Sequence, residues 1–176
     1  MDFPRLYEPT LPLHIHTLSQ YSVGLLSNTT GAVASRSWPT ANRALYIPFV
    51  LPWSYPVIRV FWMNGSAAGG KNDFGIYSID GRRIYSTGET EQSGASAFQY
   101  VTPTAFELPA GSYYFGMAYS ETTNKLSGTS SAEITNRLAG ILQQASALPL
   151  PATATFAQNA AAVVPLCGIT RTASGF

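Results

Sequence analysis

Asp73-Phe-Gly-Ile-Tyr-Ser-Ile-Asp80-Gly81-Arg-Arg-Ile-Tyr-Ser-Thr87 reads as two β-strands folded back on each other. Alternating runs flank Asp80-Gly81, a pair suited to a two-residue type I′ turn because both central positions need positive φ. Such a turn sets Ile79 opposite Arg82, Tyr77 opposite Ile84 and Ile76 opposite Tyr85. Upstream, Ala44 to Val50 and Val57 to Met63 are β-branched and aromatic runs punctuated by Pro48, Pro52, Pro56 and Asn64-Gly65. Pro48 lacks the N–H a ladder needs, so its strand is expected at an edge or a bulge. Downstream, a less regular strand near Phe98 to Thr102 precedes the turn Phe106-Glu-Leu-Pro-Ala-Gly111. In the next strand, Ser112 to Ser120, Tyr113, Phe115, Met117 and Tyr119 share one face. The opposite face, Tyr114, Gly116 and Ala118, is small apart from one ring, so a close neighbour or a flat ligand is expected against it.

One segment has helical period. Ser130-Ser-Ala-Glu133 has capping-box spacing, and Ile134, Leu138, Ile141 and Leu142 form one apolar stripe running to about Ala145 before Pro149 stops it. Thr153 to Ala157 and Ala161 to Leu166 read as short extended segments. The expected fold is all-β: an antiparallel β-sandwich, jelly-roll-like, with one amphipathic helix and extended terminal arms. Residues 1–43 form an N-terminal arm with the first strands, 44–147 the sandwich core plus helix, and 148–176 an extended C-terminal arm.

With 176 residues the chain suits one domain with a sizeable core. Ten Lys plus Arg against nine Asp plus Glu give a net charge of +1, and only two of the ten bases are Lys. No polybasic face exists for phosphate neutralisation, so nucleic acid is not an expected partner. Charged residues are 11% of the chain, and 18 Ser with 17 Thr supply the polar surface instead. A single Cys excludes a disulfide framework, and Met-Asp-Phe-Pro-Arg lacks the features of a signal peptide, which points to synthesis in a cytoplasm. Leu138 to Thr170 holds no Asp, Glu, Lys or Arg, and Leu11 to Ser35 has only His14 and His16. Polar residues and prolines interrupt the apolar runs, so membrane insertion is rejected in favour of an interface. Phe156, Val163, Val164, Leu166 and Ile169 are the expected assembly residues, crossing onto another chain in an oligomer or particle.

Several strings imitate catalytic or ligand motifs. Gly65-Ser-Ala-Ala-Gly-Gly70-Lys71 has phosphate-loop spacing, but Asn72 follows where Ser or Thr belongs, and a strand follows in place of a helix. Asp73-Phe-Gly75 has no accompanying kinase motifs. His14-x-His16 supplies two metal ligands on one strand face where three or four are needed. Cys167 sits in an apolar run and reads as an inert small hydrophobe. Glu89-x-Glu91 lies among polar loop residues with nothing to raise one carboxyl pKa. Asn28-Thr-Thr and Asn64-Gly-Ser are glycosylation acceptors in form only. No cofactor, metal or enzyme activity is therefore expected. Trp53 and Tyr55, between Pro52 and Pro56, are candidate glycan-stacking rings, expected outside their own core at a sandwich end.

Gly75-Ile-Tyr-Ser-Ile-Asp-Gly81 and Leu108-Pro-Ala-Gly-Ser-Tyr-Tyr114, leading into Phe115-Gly-Met-Ala-Tyr119, make the stretch from Val57 to Ser120 resemble β-sandwich modules of tailed-bacteriophage virion proteins. In those modules a G-[IV]-Y-x-x-x-G hairpin and an L-x-x-G-x-Y-Y strand recur. The resemblance covers about a third of the chain and implies a capsid-decorating, tail or fibre-associated role in the virion. It implies other virion proteins, including copies of the same chain, as partners. The alternative is a receptor-binding module that contacts a host-surface glycan.

Overall fold

The computed structural model describes residues 34–171 except Ala68, Asn124 and Ser131, with the side chains of Ser130 and Thr135 left aside. Strand makes up 51% and helix 4% of what is described, so the fold is all-β, as expected. In chain order the elements are β1 (Ala34–Arg36), β2 (Ala44–Leu51), β3 (Tyr55–Val57), β4 (Arg59–Met63), β5 (Lys71–Ser78), β6 (Arg83–Ser86), β7 (Thr90–Glu91) and β8 (Phe98–Val101). Then follow β9 (Phe106–Leu108), β10 (Gly111–Tyr119), β11 (Leu126–Ser130), α1 (Glu133–Leu138), β12 (Leu142–Gln144), β13 (Ala157–Gln158), β14 (Val163–Pro165) and β15 (Cys167–Thr170).

A seven-stranded antiparallel sheet in the order β13-β12-β2-β10-β5-β6, with β7 also on β5, forms one layer. Strand β10 is its spine, flanked by β2 and β5 over nearly its whole length. The register sets Ile47, Phe115 and Ile76 in one cross-strand row and Leu45, Met117 and Phe74 in the next, all facing the main core. Phe49 stacks on Phe115 with ring centroids 3.9 Å apart. Three smaller antiparallel sheets, β1-β11-β14, β15-β4-β8 and β3-β9, contribute the opposing side of that core. Trp62 of β4 lies nearly parallel to Phe74 of β5, and Val60, Leu126 and Ile169 belong to the same buried cluster. Layers that share one apolar interior make the arrangement sandwich-like.

The other face of β10 is also covered. Tyr114, Gly116 and Ala118 lie in rows with Pro48 and Tyr77, with Tyr46 and Gly75, and with Ala44 and Asp73. Tyr46 and Tyr77 meet edge to face over Gly116, where an added methyl group would lie 2.8 Å from Tyr77 Cε2 and 3.2 Å from Tyr46 Cε1. The close neighbour expected from the small residues is this tyrosine pair, capped by Ala147, Leu150 and Phe156 from the segment between β12 and β13.

Five expectations need correction. At the hairpin, Gly81 N donates to Ser78 O and Ser78 N to Arg82 O, both at 2.9 Å, and in the turn only Gly81 takes positive φ. The loop is therefore Ile79-Asp80-Gly81, of the three-residue kind, and Ile79 does not face Arg82. Tyr77 pairs with Arg83, and Ile84 is the extra residue of a bulge that restores Ile76 opposite Tyr85. The bulge keeps Ile76 in the core despite the longer turn. Strand β2 is internal, yet β12 pairs only with its Ala44 to Tyr46, so Pro48 has a ladder neighbour on one side alone.

The helix is shorter than its apolar stripe. Gly140, at φ 77°, closes it with Gly140 N donating to Arg137 O and Ile141 N to Asn136 O, the Schellman pattern, and Leu142 passes into β12. Ile134 and Leu138 face solvent, while Asn136 is buried and donates to Ala161 O at 2.8 Å. The stretch 148–171 is not an arm. Val164 pairs with Thr129 and Ile169 with Val60; Val163, Val164, Leu166 and Ile169 are buried in their own chain, and Phe156 packs on Tyr46 and Tyr114. Its lack of charge serves the chain's own interior. At the other end β1 pairs with β11 and Trp38 is buried, so residues 34–43 belong to the same body. The remainder of the expected N-terminal arm, 1–33, lies outside the described residues. Among those described, no helix is long and apolar enough to cross a membrane.

Phe115→Ala, which empties the centre of the main core, is expected to destabilise by about 3–5 kcal/mol in urea unfolding. Gly116→Ala adds one methyl and is nevertheless expected to cost about 1–3 kcal/mol, because neither tyrosine ring has room to retreat. A neutral Gly116→Ala variant would contradict the packing of the second face.

Candidate functional site

Strand alternation puts Asp73, Gly75 and Tyr77 of β5 on the second face, and the bulge at Ile84 brings Arg83 and Ser86 of β6 beside them. The carboxylate of Asp73 is fully buried. It accepts hydrogen bonds from Ser86 Oγ at 2.8 and 3.0 Å, from Thr87 Oγ1 at 3.1 Å and from Leu150 N at 3.0 Å. Burial raises its pKa above the usual carboxylate value, opposed by those hydrogen bonds and by the Arg83 guanidinium. Arg83 in turn donates to Leu150 O through its guanidinium and to Ala152 O through its backbone N at 2.9 Å. Tyr77 Oη donates to Pro151 O at 2.7 Å, and Ala154 N to Gly81 O at 2.8 Å. Together these bonds strap residues 147–156 over the second face and along the edge of β6. Burial also pushes the hydroxyl pKa of Tyr46 up to about 12 and that of Tyr77 up strongly.

Beside the clasp opens a groove of about 720 Å³ lined by Asp73, Arg83, Ile84, Tyr85, Ser86, Thr87, Gly88 and Pro149. Three donors, the Ser86 hydroxyl shared between both oxygens, Thr87 Oγ1 on Oδ1 and Leu150 N on Oδ2, hold the Asp73 carboxyl, so the acid is an anchor of the strap.

The expected site residues are scattered by the fold. Trp53 is 46% exposed in the β2–β3 loop, as expected, but Tyr55 is 6% exposed and part of the main core. Tyr55 falls on β3, paired with Leu108 of β9, and strand alternation turns its ring inward. The two rings therefore form no joint stacking platform. The loop 65–70 links β4 to β5, and Lys71 opens β5 with its Nζ 2.9 Å from Glu89 Oε2. Glu91 is exposed on β7. Cys167 is buried with its thiol pKa pushed up to about 12, the opposite of a nucleophile's.

Asn64 is buried, its Nδ2 donating to Ser93 O, Gly94 O and Gln99 Oε1, so its sequon is not presented. His14, His16 and Asn28 lie outside the described residues, and among those described no three His, Cys, Asp or Glu side chains gather to hold a metal. The Asp73–Arg83 clasp was missed in the sequence. Its signal was an acid leading directly into the apolar run Phe74 to Tyr77 of a strand, since an acid drawn into the interior with such a run must find donors. No family model matches the chain, and no curated protein matches it significantly.

A folded-state pKa above the unfolded one means Asp73 contributes most below the usual carboxylate value and loses that contribution as pH rises through the raised value. The unfolding free energy of the wild type minus that of Asp73→Asn should therefore be larger in mild acid than at neutral pH. Urea melts across that range test it; a difference that is flat or grows with pH contradicts the assignment.

Proposed function

We propose that the chain is a structural subunit of a tailed-bacteriophage virion, made in the host cytoplasm, that decorates the capsid or belongs to the tail. In this reading it works by protein–protein assembly with other virion proteins and copies of itself, without catalysis or cofactor. The likeness of its hairpin and spine strand to virion β-sandwich modules supplies the class. The observation that supports assembly is helix α1, whose orientation is inverted. It buries Asn136 and turns Ile134 and Leu138 outward, 61% and 83% exposed, four residues apart on one face. Covering two such side chains against a partner contributes about 1.5–3 kcal/mol each before ordering costs. This surface replaces the C-terminal residues, which the chain's own core already occupies.

The double variant Ile134→Glu, Leu138→Glu is expected to melt within a few degrees of wild type, because both positions face solvent, and to be lost from sedimented particles. Undiminished incorporation would remove the helix from the interface. A second reading, contact with a host-surface glycan, is favoured by Trp53, a half-exposed indole on a loop between prolines.

A further inference from the structure

The outward face of the small sheet β15-β4-β8 is apolar. Val60 and Trp62 of β4, Val101 of β8 and Ile169 of β15 turn to the main core, so alternation sends Phe61, Met63, Phe98 and Tyr100 to the other side. There the register sets Phe61 opposite Tyr100 and Met63 opposite Phe98, with Gly168 of β15 across the ladder from Phe61. These four side chains belong to neither buried apolar cluster, and Phe98 and Tyr100 are 40% and 49% exposed. Two rings on one strand face, bordered by Arg59 with its guanidinium carbon 4.3 Å from the Tyr100 ring centroid, form the kind of patch that marks a docking surface. The chain enters the described body beside this sheet. Ala34 of β1 pairs with Gly128, and Gly128 with Pro165; the next carbonyl, Leu166 O, accepts from Met63 N at 3.0 Å. Ser35 Oγ lies 3.0 Å from Ser66 Oγ, in the loop that follows β4.

We propose that residues 11–18 of the same chain pack on this face, with Leu11, Leu13 and Ile15 against Phe61, Met63, Phe98 and Tyr100. Alternation of those three with Pro12, His14 and His16 gives an extended segment one apolar side. From Leu11 to Ser35 there is no Asp, Glu, Lys or Arg, so the segment brings no charge to bury against the rings. Between positions 18 and 34 an extended chain spans up to about 50 Å, whereas the outer strands of a three-stranded sheet lie about 10 Å apart. Attachment to β1 makes the encounter intramolecular, at an effective concentration on the order of millimolar, which favours the chain's own segment over a neighbour's.

The test attaches a nitroxide to the full chain at His14→Cys, a position that alternates with the apolar ones. Cys167 is buried with a raised thiol pKa and stays unlabelled in the native protein. In amide NMR spectra the nitroxide should remove most of the intensity at Phe61, Met63, Phe98 and Tyr100 and spare Gly116 on the far side of the main sheet. When nitroxide-bearing chains are mixed with nitrogen-15 chains that carry none, the same four signals should keep their intensity. Adding Leu13→Asp and Ile15→Asp to the nitroxide chain should restore them, with the other amide shifts and the thermal melt unchanged. Full intensity at all four amides beside the nitroxide overturns the proposal. Broadening in the mixture gives the face to a neighbouring copy and overturns the same-chain contact. Broadening that survives Leu13→Asp and Ile15→Asp overturns the apolar packing.

Discussion

A strand with neighbours on both sides and apolar residues on both faces has to be covered twice, and β10 is such a strand. Tyr113, Phe115, Met117 and Tyr119 require one layer; Tyr114, Gly116 and Ala118 require another. The first demand is met by the smaller sheets. The second is met by Tyr46 and Tyr77 lying close over Gly116, and above them by the strap that carries Leu150 and Phe156. An extended strap brings its own backbone groups into a buried place, and these must be paired. Asp73, Arg83 and Tyr77 pair three of them, at Leu150 N, Leu150 O and Pro151 O. The buried acid follows from the double covering of the spine.

Reading the residues located the spine strand, the hairpin and the all-β class, because each rests on local alternation or a turn pair. It failed where two local signals agreed on a wrong answer. Ile134, Leu138, Ile141 and Leu142 keep helical period, but Gly140 supplies a stop that periodicity ignores, and backbone pairing with Tyr46 captures Leu142 as a strand. Asp80-Gly81 marks a turn correctly without fixing its length, and one added loop residue moved every pair between the turn and the bulge at Ile84. The uncharged stretch after Leu138 signals burial faithfully; nothing local says whether the burying surface belongs to the same chain.

The candidate site was less legible than the fold for a related reason. Trp53 and Tyr55 are equivalent in sequence, each within two residues of a proline, yet one falls in the loop and the other on a paired strand. Asp73 sat in a string that imitates a kinase motif, and its hydrogen-bond partners come from two separate segments, Ser86 and Thr87 at the end of the hairpin and Leu150 in the strap. Only the sheet register brings them within reach of one another.

The clasp joins residues 77 positions apart in the chain, and the pairs β4–β15 and β11–β14 also bring late segments onto early ones. Contacts this distant in sequence must meet the entropy of closing long loops before they contribute, so folding is expected to be slow for the chain's size. During synthesis β2, β5 and β10 emerge well ahead of the strap, and until it arrives Tyr46, Tyr77 and the free side of β6 have no cover. A nascent chain in that interval presents an unpaired sheet edge beside an aromatic face, the arrangement that invites pairing with its neighbours. Arrival of the strap removes the edge and the face together, which makes it the step that separates a folded subunit from an aggregate.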